Sequence, residues 1–218
     1  MTSTTRRLTA AVAASLLVAG CAPNTQSAPL VAPAGQPGSV APAATSNPAP
    51  AESEGTLTQT QFGPISAVDR KLLSLVEETS LREMTTSQWA LERSSNDAVK
   101  QAAQVIINQH MDLEQKDQDI CAKLGLPFPK EPSPDMQVGI NRMRTETGQV
   151  FDDDYVNTLR QAHAQALILV STVRADTRNT LVRPYAGLAN DYIKTHIELL
   201  EKTGDVDYTK LPVPQLQS

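Results

Sequence analysis

Four long stretches of the chain repeat apolar residues every three or four positions, which is typical of helices that bury one face. The first opens at Ser66 and Asp69, a capping-box-like start, and keeps this spacing to about Ser94. The second follows a capping Asn96 and stops at Gly125. The predicted buried faces of these two helices carry Val68, Leu72, Leu75 and Val76, then Val99, Ala103, Ile106, Ile107, Leu113, Ile120 and Leu124.

A proline-rich connection follows the second helix. Residues 126–134 hold four prolines and therefore predict a loop. Ser133 and Pro134 then cap a short helix that ends near Gly148. One face of this short helix carries Met136, Ile140 and Met143.

The two remaining long helices lie in the last third of the chain. Residues 152–154, three aspartates, predict the start of the third long helix, whereas Pro184 opens the fourth and Gly204 ends it. No strand pattern accompanies them. Four amphipathic helices bury their apolar faces best as an all-α four-helix bundle, here over residues 65–204 with a short extra helix between helices 2 and 3. Residues 205–218 are expected to form a flexible tail.

The segment before the bundle has a different composition. Residues 22–64 are rich in Pro, Ala, Ser, Thr and Gly and hold few large apolar side chains. Such a segment cannot bury enough surface to offset the entropy of ordering, so we expect a disordered linker. It contains no recognisable ligand motif, which favours a spacer over a recruitment segment.

Residues 1–20 have the layout of a secretory signal. Arg6 and Arg7 form a basic start, and residues 8–19 form an apolar run ending in small side chains. The run of about 12 residues is shorter than the roughly 20 that a membrane-spanning helix needs. We therefore expect a signal peptide that is removed.

The end of this segment, Val18-Ala19-Gly20-Cys21, resembles the lipobox of bacterial lipoproteins, although that pattern favours Leu where Val18 stands. The resemblance implies cleavage before Cys21, lipidation of its thiol, and stable membrane anchoring through several acyl chains. Ala22 lacks the Asp that marks inner-membrane retention, so the expected location is the periplasmic face of the outer membrane. The alternative is an ordinary signal peptide with a chance cysteine.

Charge and cysteine content restrict the partners. The chain carries a net charge of -5, and losing Arg6 and Arg7 would make the mature protein more acidic, which argues against nucleic acid as a partner. If Cys21 carries lipid, Cys121 has no intramolecular partner, so an apolar core rather than disulfides must stabilise the domain. No feature of the sequence identifies a protein partner.

All three histidines lie on long helices, one on each of the second, third and fourth. His110, His163 and His196 each fall on the apolar face of their helix, and Glu83 does the same on the first helix. The flanking apolar residues are Ile106 and Leu113, Leu159 and Ala166, Ile193 and Leu199, and Val76 and Ala90. Imidazole and carboxylate are ligands for Fe, Zn, Mn or Cu, and bundle cores are where such ligands converge.

Two interpretations of these four residues stay open. They could form a metal site, or they could form a buried hydrogen-bonded layer that fixes the register of the helices. A metal site requires all four side chains to lie at the same level along the bundle axis. The spacing within each helix does not show how the helices are aligned along that axis.

Other candidates have simpler explanations. The aspartates at 152–154 suit a helix start better than a calcium loop. Cys121, eleven residues after His110, could be a fourth soft ligand but is better explained as core. The sequence contains no nucleophile–base arrangement, phosphate loop or close carboxylate pair that would support catalysis, so a non-enzymatic role is favoured.

Several positions of the bundle region together form a recognisable pattern: Glu83 with Ser87 and Ala90, His110, Gly148, Phe151, Asp152, Tyr155, His163 and His196. With these residues the region resembles a family of exported bacterial proteins known as domain of unknown function 4142, over roughly residues 65–204. The resemblance implies a ferritin-like four-helix fold.

Two departures limit what the resemblance implies about chemistry. Gln109 stands where the family commonly has Asp, which removes a possible second carboxylate. Ferritin-like di-iron sites use Glu-x-x-His pairs, but the residues three before each histidine are Ile107, Arg160 and Ile193. A two-iron centre is therefore disfavoured.

Two functional hypotheses follow. The first is a lipid-anchored envelope protein whose helical bundle has a binding or structural role. The second is a metal-binding or redox-protective protein that uses Glu83, His110, His163 and His196 in the bundle core.

Overall fold

The computed structural model describes residues 56–211 of the chain. The predicted signal peptide at 1–20, the lipidation site Cys21, the linker up to residue 55, and residues 212–218 of the predicted tail lie outside the described residues.

The described residues form five α-helices and a short 3-10 helix, with no β-strand. The predicted all-α fold, with four long helices and a short extra helix between the second and third, is confirmed. The helices are α1 Ala67–Arg93, α2 Asp97–Leu124, α3 Pro134–Met143, α4 Gly148–Asp176, α5 Val182–Lys202 and the 3-10 helix Tyr208–Lys210.

Three of the predicted helix boundaries rest on local capping. Ser66 Oγ accepts a hydrogen bond from the Asp69 amide at 3.1 Å, and Asp69 Oδ2 accepts one from the Ser66 amide at 2.8 Å, which completes the capping box of α1. Asn96 caps α2 by accepting from the Ala98 amide at 2.9 Å. Gly125 ends α2 with a φ of 66°, a left-handed conformation that glycine adopts without strain.

The start of α4 differs from the prediction. The helix begins at Gly148 rather than at Asp152, so the aspartates lie after its first turn. The extra turn places Phe151 in the core and lets buried Asp152 accept a hydrogen bond from Ser94 Oγ at 2.9 Å. Contacts with the end of α1, which sequence spacing does not reveal, therefore set where α4 begins.

The start of α5 also differs. It begins at Val182, and Pro184 is its third residue rather than its first. The side chain of Asn179 accepts hydrogen bonds from the amides of Leu181 and Val182 at 3.0 and 3.2 Å. Pro184 is tolerated there because amides in the first turn have no partner within the helix.

Each of the four long helices is antiparallel to its two neighbours. α1 packs against α2 and α4, and α5 packs against the same two helices from the other side. The connection containing α3 crosses from the end of α2 to the start of α4, the single long crossover of ferritin-like bundles. Side-chain contacts that set this register are Ser80–His110, Ser87–Tyr155, Arg160–Glu201, His163–His196, Tyr185–Asp117 and Tyr192–Asp112.

The apolar core divides into two clusters along the bundle. The first includes Leu72, Leu73, Val76, Leu113, Val170, Val173, Ala186 and Ile193. The second includes Ala90, Val99, Ile106, Met143, Phe151, Tyr155, Leu159 and Leu200. In each long helix, one of the four candidate ligands lies between the residues of the first cluster and those of the second. The candidate site is therefore a polar layer between two apolar ones.

The described residues just before residue 65, where the sequence places the start of the bundle, also contact the bundle. Thr58 and Ile65 form an antiparallel bridge, and Ile65 is buried. Gly63 makes the turn with a φ of 90°, and a Cβ at this position would meet the Arg178 carbonyl oxygen at 2.6 Å. The Gly63 carbonyl also accepts from Asn179 Nδ2 at 3.2 Å. The residues just before α1 thus pack on the connection between α4 and α5.

Ordered structure also extends past residue 204. Asn157 on α4 donates to the Asp205 carbonyl at 3.0 Å and accepts from the Asp207 amide at 2.7 Å. The first part of the predicted tail is therefore bound to the bundle. None of the described helices has the length and hydropathy to cross a membrane.

Candidate metal centre

Each long helix contributes one polar side chain to a common point in the core. Glu83 comes from α1, His110 from α2, His163 from α4 and His196 from α5, and none is more than 4% exposed. One potential ligand atom from each residue can be chosen so that all four lie within 4.8 Å of one another. The structure thus places the four residues at one level, the alignment that the sequence left open.

Glu83 is the centre of the hydrogen bonding. Its Oε2 lies 3.0 Å from His110 Nε2 and 3.5 Å from His163 Nε2. Its Oε1 accepts a hydrogen bond from Arg82 Nη2 at 2.9 Å, and Arg82 is itself buried. The carboxylate therefore faces two imidazoles with one oxygen and a guanidinium with the other.

His110 is held from both sides of its ring. Its Nδ1 lies 2.8 Å from Ser80 Oγ, and its Nε2 faces the Glu83 carboxylate. A carboxylate only accepts, so Nε2 carries the proton in the metal-free state. Coordination through Nε2 would require the other tautomer, in which Nδ1 carries the proton and donates to Ser80 Oγ.

His163 has its tautomer fixed by the backbone. Its Nδ1 lies 2.7 Å from the Leu159 carbonyl, which only accepts, so Nδ1 carries a proton. In the neutral ring this leaves the Nε2 lone pair directed toward Glu83 and His196. An imidazole oriented by a carbonyl through its far nitrogen is the arrangement found around metal-ligating histidines.

His196 has the least complete set of contacts. Its Nδ1 lies 2.7 Å from His163 Nε2, and since that nitrogen bears a lone pair in the neutral ring, His196 Nδ1 is the donor. Its Nε2 is buried and has no hydrogen-bond partner among the described residues. A buried polar atom without a partner costs on the order of 1–3 kcal/mol, so this nitrogen is an indication of a ligand.

The electrostatics keep two of the imidazoles neutral. Burial lowers the pKa of His163, and it lowers the pKa of His196 to about 2. Burial acts to raise the pKa of Glu83, but His163, His110 and Arg82 together hold it well below its usual range. Neutral imidazoles and an ionised carboxylate are the protonation states in which these groups bind metals.

Arg82 and Ser80 are parts of this site that sequence reasoning missed. Arg82 directly precedes Glu83 and lies at the edge of the apolar face, where a charged residue normally points to solvent. Ser80 lies one turn before Glu83, and this spacing places it on the same inward face of the helix. Its hydroxyl also lies 2.8 Å from the Val76 carbonyl.

Cys121 does not belong to the group. It is buried near the C-terminal end of α2, eleven residues after His110, and its thiol donates to Asp117 Oδ1 at 3.3 Å. Burial, together with the nearby Asp117 and Glu77, raises the pKa of the thiol to about 12. The structure therefore places Cys121 in the core rather than beside His110.

A second buried acidic group surrounds Cys121. Asp117 accepts a hydrogen bond from Tyr185 Oη at 3.2 Å as well as that from the thiol, and Glu77 on α1 packs nearby with one carboxylate oxygen unpartnered. Asp117 lies four residues after Leu113 on α2, so the spacing that identified His110 would also have found it.

Comparison with known proteins gives a family. The family model described as domain of unknown function (DUF4142) matches residues 54–203, and the chain belongs to this family. No curated protein and no solved structure matches the chain significantly.

Proposed function

We propose that this member of the DUF4142 family binds one transition-metal ion in the core of its bundle, through Glu83, His110, His163 and His196. The observation that carries the proposal is the convergence of four buried ligand-type side chains, one from each helix, within 4.8 Å. The unpartnered Nε2 of His196 supports it. Sequestration of metal or protection against redox damage would be the physiological use.

The donor set restricts the ion. Three imidazoles and one carboxylate suit Zn, Fe, Mn or Cu, whereas Ca and Mg prefer oxygen ligands throughout. When bound, such an ion supplies Lewis acidity and, for Fe, Mn or Cu, one-electron redox chemistry. The protein's own contribution is to orient His163 through the Leu159 carbonyl and to bury the site between two apolar clusters.

A second candidate function is structural, and Arg82 favours it. The Arg82 guanidinium already balances the charge of Glu83, and each imidazole has at least one partner within the protein. In this case the layer would specify the register of the helices without any ion.

Metal analysis of the purified protein separates the two candidates. We expect residues 22–218 to carry about one equivalent of a transition metal and to melt at a lower temperature after chelation. At a free metal concentration 100 times Kd, binding adds about 2.7 kcal/mol to the free energy of unfolding. His196→Gln should lose the metal, whereas Tyr185→Phe, a buried change outside the site, should keep it. A protein that takes up none of Fe, Zn, Mn or Cu and melts identically with chelator would favour the structural layer.

We further propose that the bundle works at the surface of a bacterial membrane, anchored by lipid on Cys21, and that the outer membrane's periplasmic face is its location. The lipobox-like residues before Cys21 support this. Cys21→Ser should prevent lipidation, abolish the sensitivity of processing to globomycin and move the protein to the soluble periplasmic fraction. Fractionation of cells expressing both forms checks this, and a Cys21→Ser protein that is still processed and membrane-bound would contradict it.

A further inference from the structure

A small cavity adjoins the four candidate ligands. It has a volume of about 40 Å³, and Glu83, His110, His163 and His196 all line it. One water needs roughly 10–15 Å³ of such volume, so the cavity has room for about three atoms of that size. It therefore has room for a molecule of two or three heavy atoms.

The rest of the cavity wall is apolar or already hydrogen-bonded. Thr79 and Tyr192 contribute hydroxyls, but Thr79 Oγ1 donates to the Leu75 carbonyl at 2.6 Å and Tyr192 Oη donates to Asp112 at 3.0 Å. The remaining described residues of the wall are Val76, Leu113, Ala162, Ala166, Ala189 and Ile193. A ligand in this cavity would therefore find its polar partner at the Glu83 and histidine end.

Charge determines the kind of ligand. Arg82 and Glu83 form an ion pair whose charges cancel, and an imidazole that coordinates a metal does so as a neutral ligand. A divalent ion at this site would thus leave two positive charges uncompensated in a buried layer, which is energetically costly. An anion that enters the cavity beside the ion would reduce this charge.

We propose that the centre, once it holds its metal, takes a small anion of two or three atoms into this cavity as a further ligand. The inference rests on the proposed metal binding and adds the class of molecule that reaches it. The small side chains of Ala162, Ala166 and Ala189 leave the space that the anion occupies.

Azide titration of the mature protein, residues 22–218, loaded with cobalt or copper tests the proposal. Azide is expected to change the visible spectrum in a saturable way, whereas benzoate, too large for the cavity, is expected to leave it unchanged. Ala189→Leu fills the cavity and should weaken azide binding by about tenfold or more while metal content is retained. Ala122→Leu, an exposed alanine on α2, is the matched control and should bind azide as the parent does.

Ala166→Leu, at a half-buried position in the wall, provides a second variant if Ala189→Leu folds poorly. Metal uptake without a spectral response to azide would overturn this inference and leave the proposed function standing. Equal azide affinity in the parent and both cavity-filling variants would also overturn it. Failure to take up metal at all would overturn the proposed function and this inference with it.

Discussion

Replacing Glu83 by leucine is expected to lower the free energy of unfolding of the metal-free protein by about 3–5 kcal/mol, the usual cost of breaking one side of a buried ion pair. Glu83 is fully buried and accepts from Arg82 at 2.9 Å and contacts His110 at 3.0 Å. Without the carboxylate, the guanidinium of Arg82, whose side chain is 9% exposed, becomes a buried charge without a counterion. Urea denaturation in the presence of a chelator measures the effect without a contribution from bound metal.

The double variant Arg82→Met with Glu83→Leu is the control. It removes both charges and replaces them with apolar side chains of similar volume, so most of the lost stability should return. A single Glu83→Leu variant within about 1 kcal/mol of the parent would contradict the prediction, because that range is typical of exposed ion pairs. A double variant no more stable than the single one would show that packing, rather than the unpaired charge, dominates the loss.

Helix locations were predictable because local signals determine them. The apolar spacing of α1 and α2 is regular, and their ends carry a capping box at Ser66 and a left-handed Gly125 that act within a few residues. The predicted start of α4 was wrong because the true start depends on a tertiary contact. Asp152 accepts a hydrogen bond from Ser94, which lies more than fifty residues earlier in the chain. Boundaries set by tertiary partners lie outside what spacing within one segment can indicate.

The candidate site was predictable in its members but not in its geometry. Glu83 and the three histidines each stand on an apolar face, and that spacing alone identifies them as inward-pointing. Whether they lie at one level depends on the axial position of each helix relative to its neighbours. Contacts between helices, such as Ser87 with Tyr155, determine that position. Sequence spacing also could not show that Arg82 is buried, because long basic side chains on the edge of a helix face normally reach solvent.

Glu77 and Asp117 form a different electrostatic environment two turns from the candidate site. Burial is the largest cause of a rise in the pKa of Glu77 to about 7. The neighbouring Glu114 and Asp117 contribute to this rise, and Lys130 opposes it. Burial also raises the pKa of Asp117 to about 7, although its hydrogen bonds from Cys121 and Tyr185 act in the other direction. Both acids are therefore protonated in the folded protein at pH 5 and largely ionised at pH 8.

Glu77→Gln is consequently expected to change stability in a pH-dependent way. In the unfolded chain Glu77 titrates near its ordinary value of 4.5, so the folded state holds a proton that the unfolded state has lost between about pH 4.5 and 7. That stabilising contribution is present at low pH and is lost as the pH rises through 7. Glutamine mimics the protonated acid at every pH. The variant should lie within about 1 kcal/mol of the parent near pH 5 and exceed it by roughly 3 kcal/mol at pH 8.

The measurement is the difference in the free energy of unfolding between variant and parent at pH 5, 6, 7 and 8, with chelator present. Taking the difference matters because His163 and His196, whose pKa values are lowered by burial, act in the opposite direction and lose their stabilising contribution as the pH falls. These terms are common to both proteins and cancel. Glu92→Gln, an exposed acid on the same helix, should show a difference near zero at every pH. A Glu77→Gln difference that is the same at pH 5 and pH 8 would mean that Glu77 stays ionised in the folded core, which would require a cation beside its unpartnered oxygen.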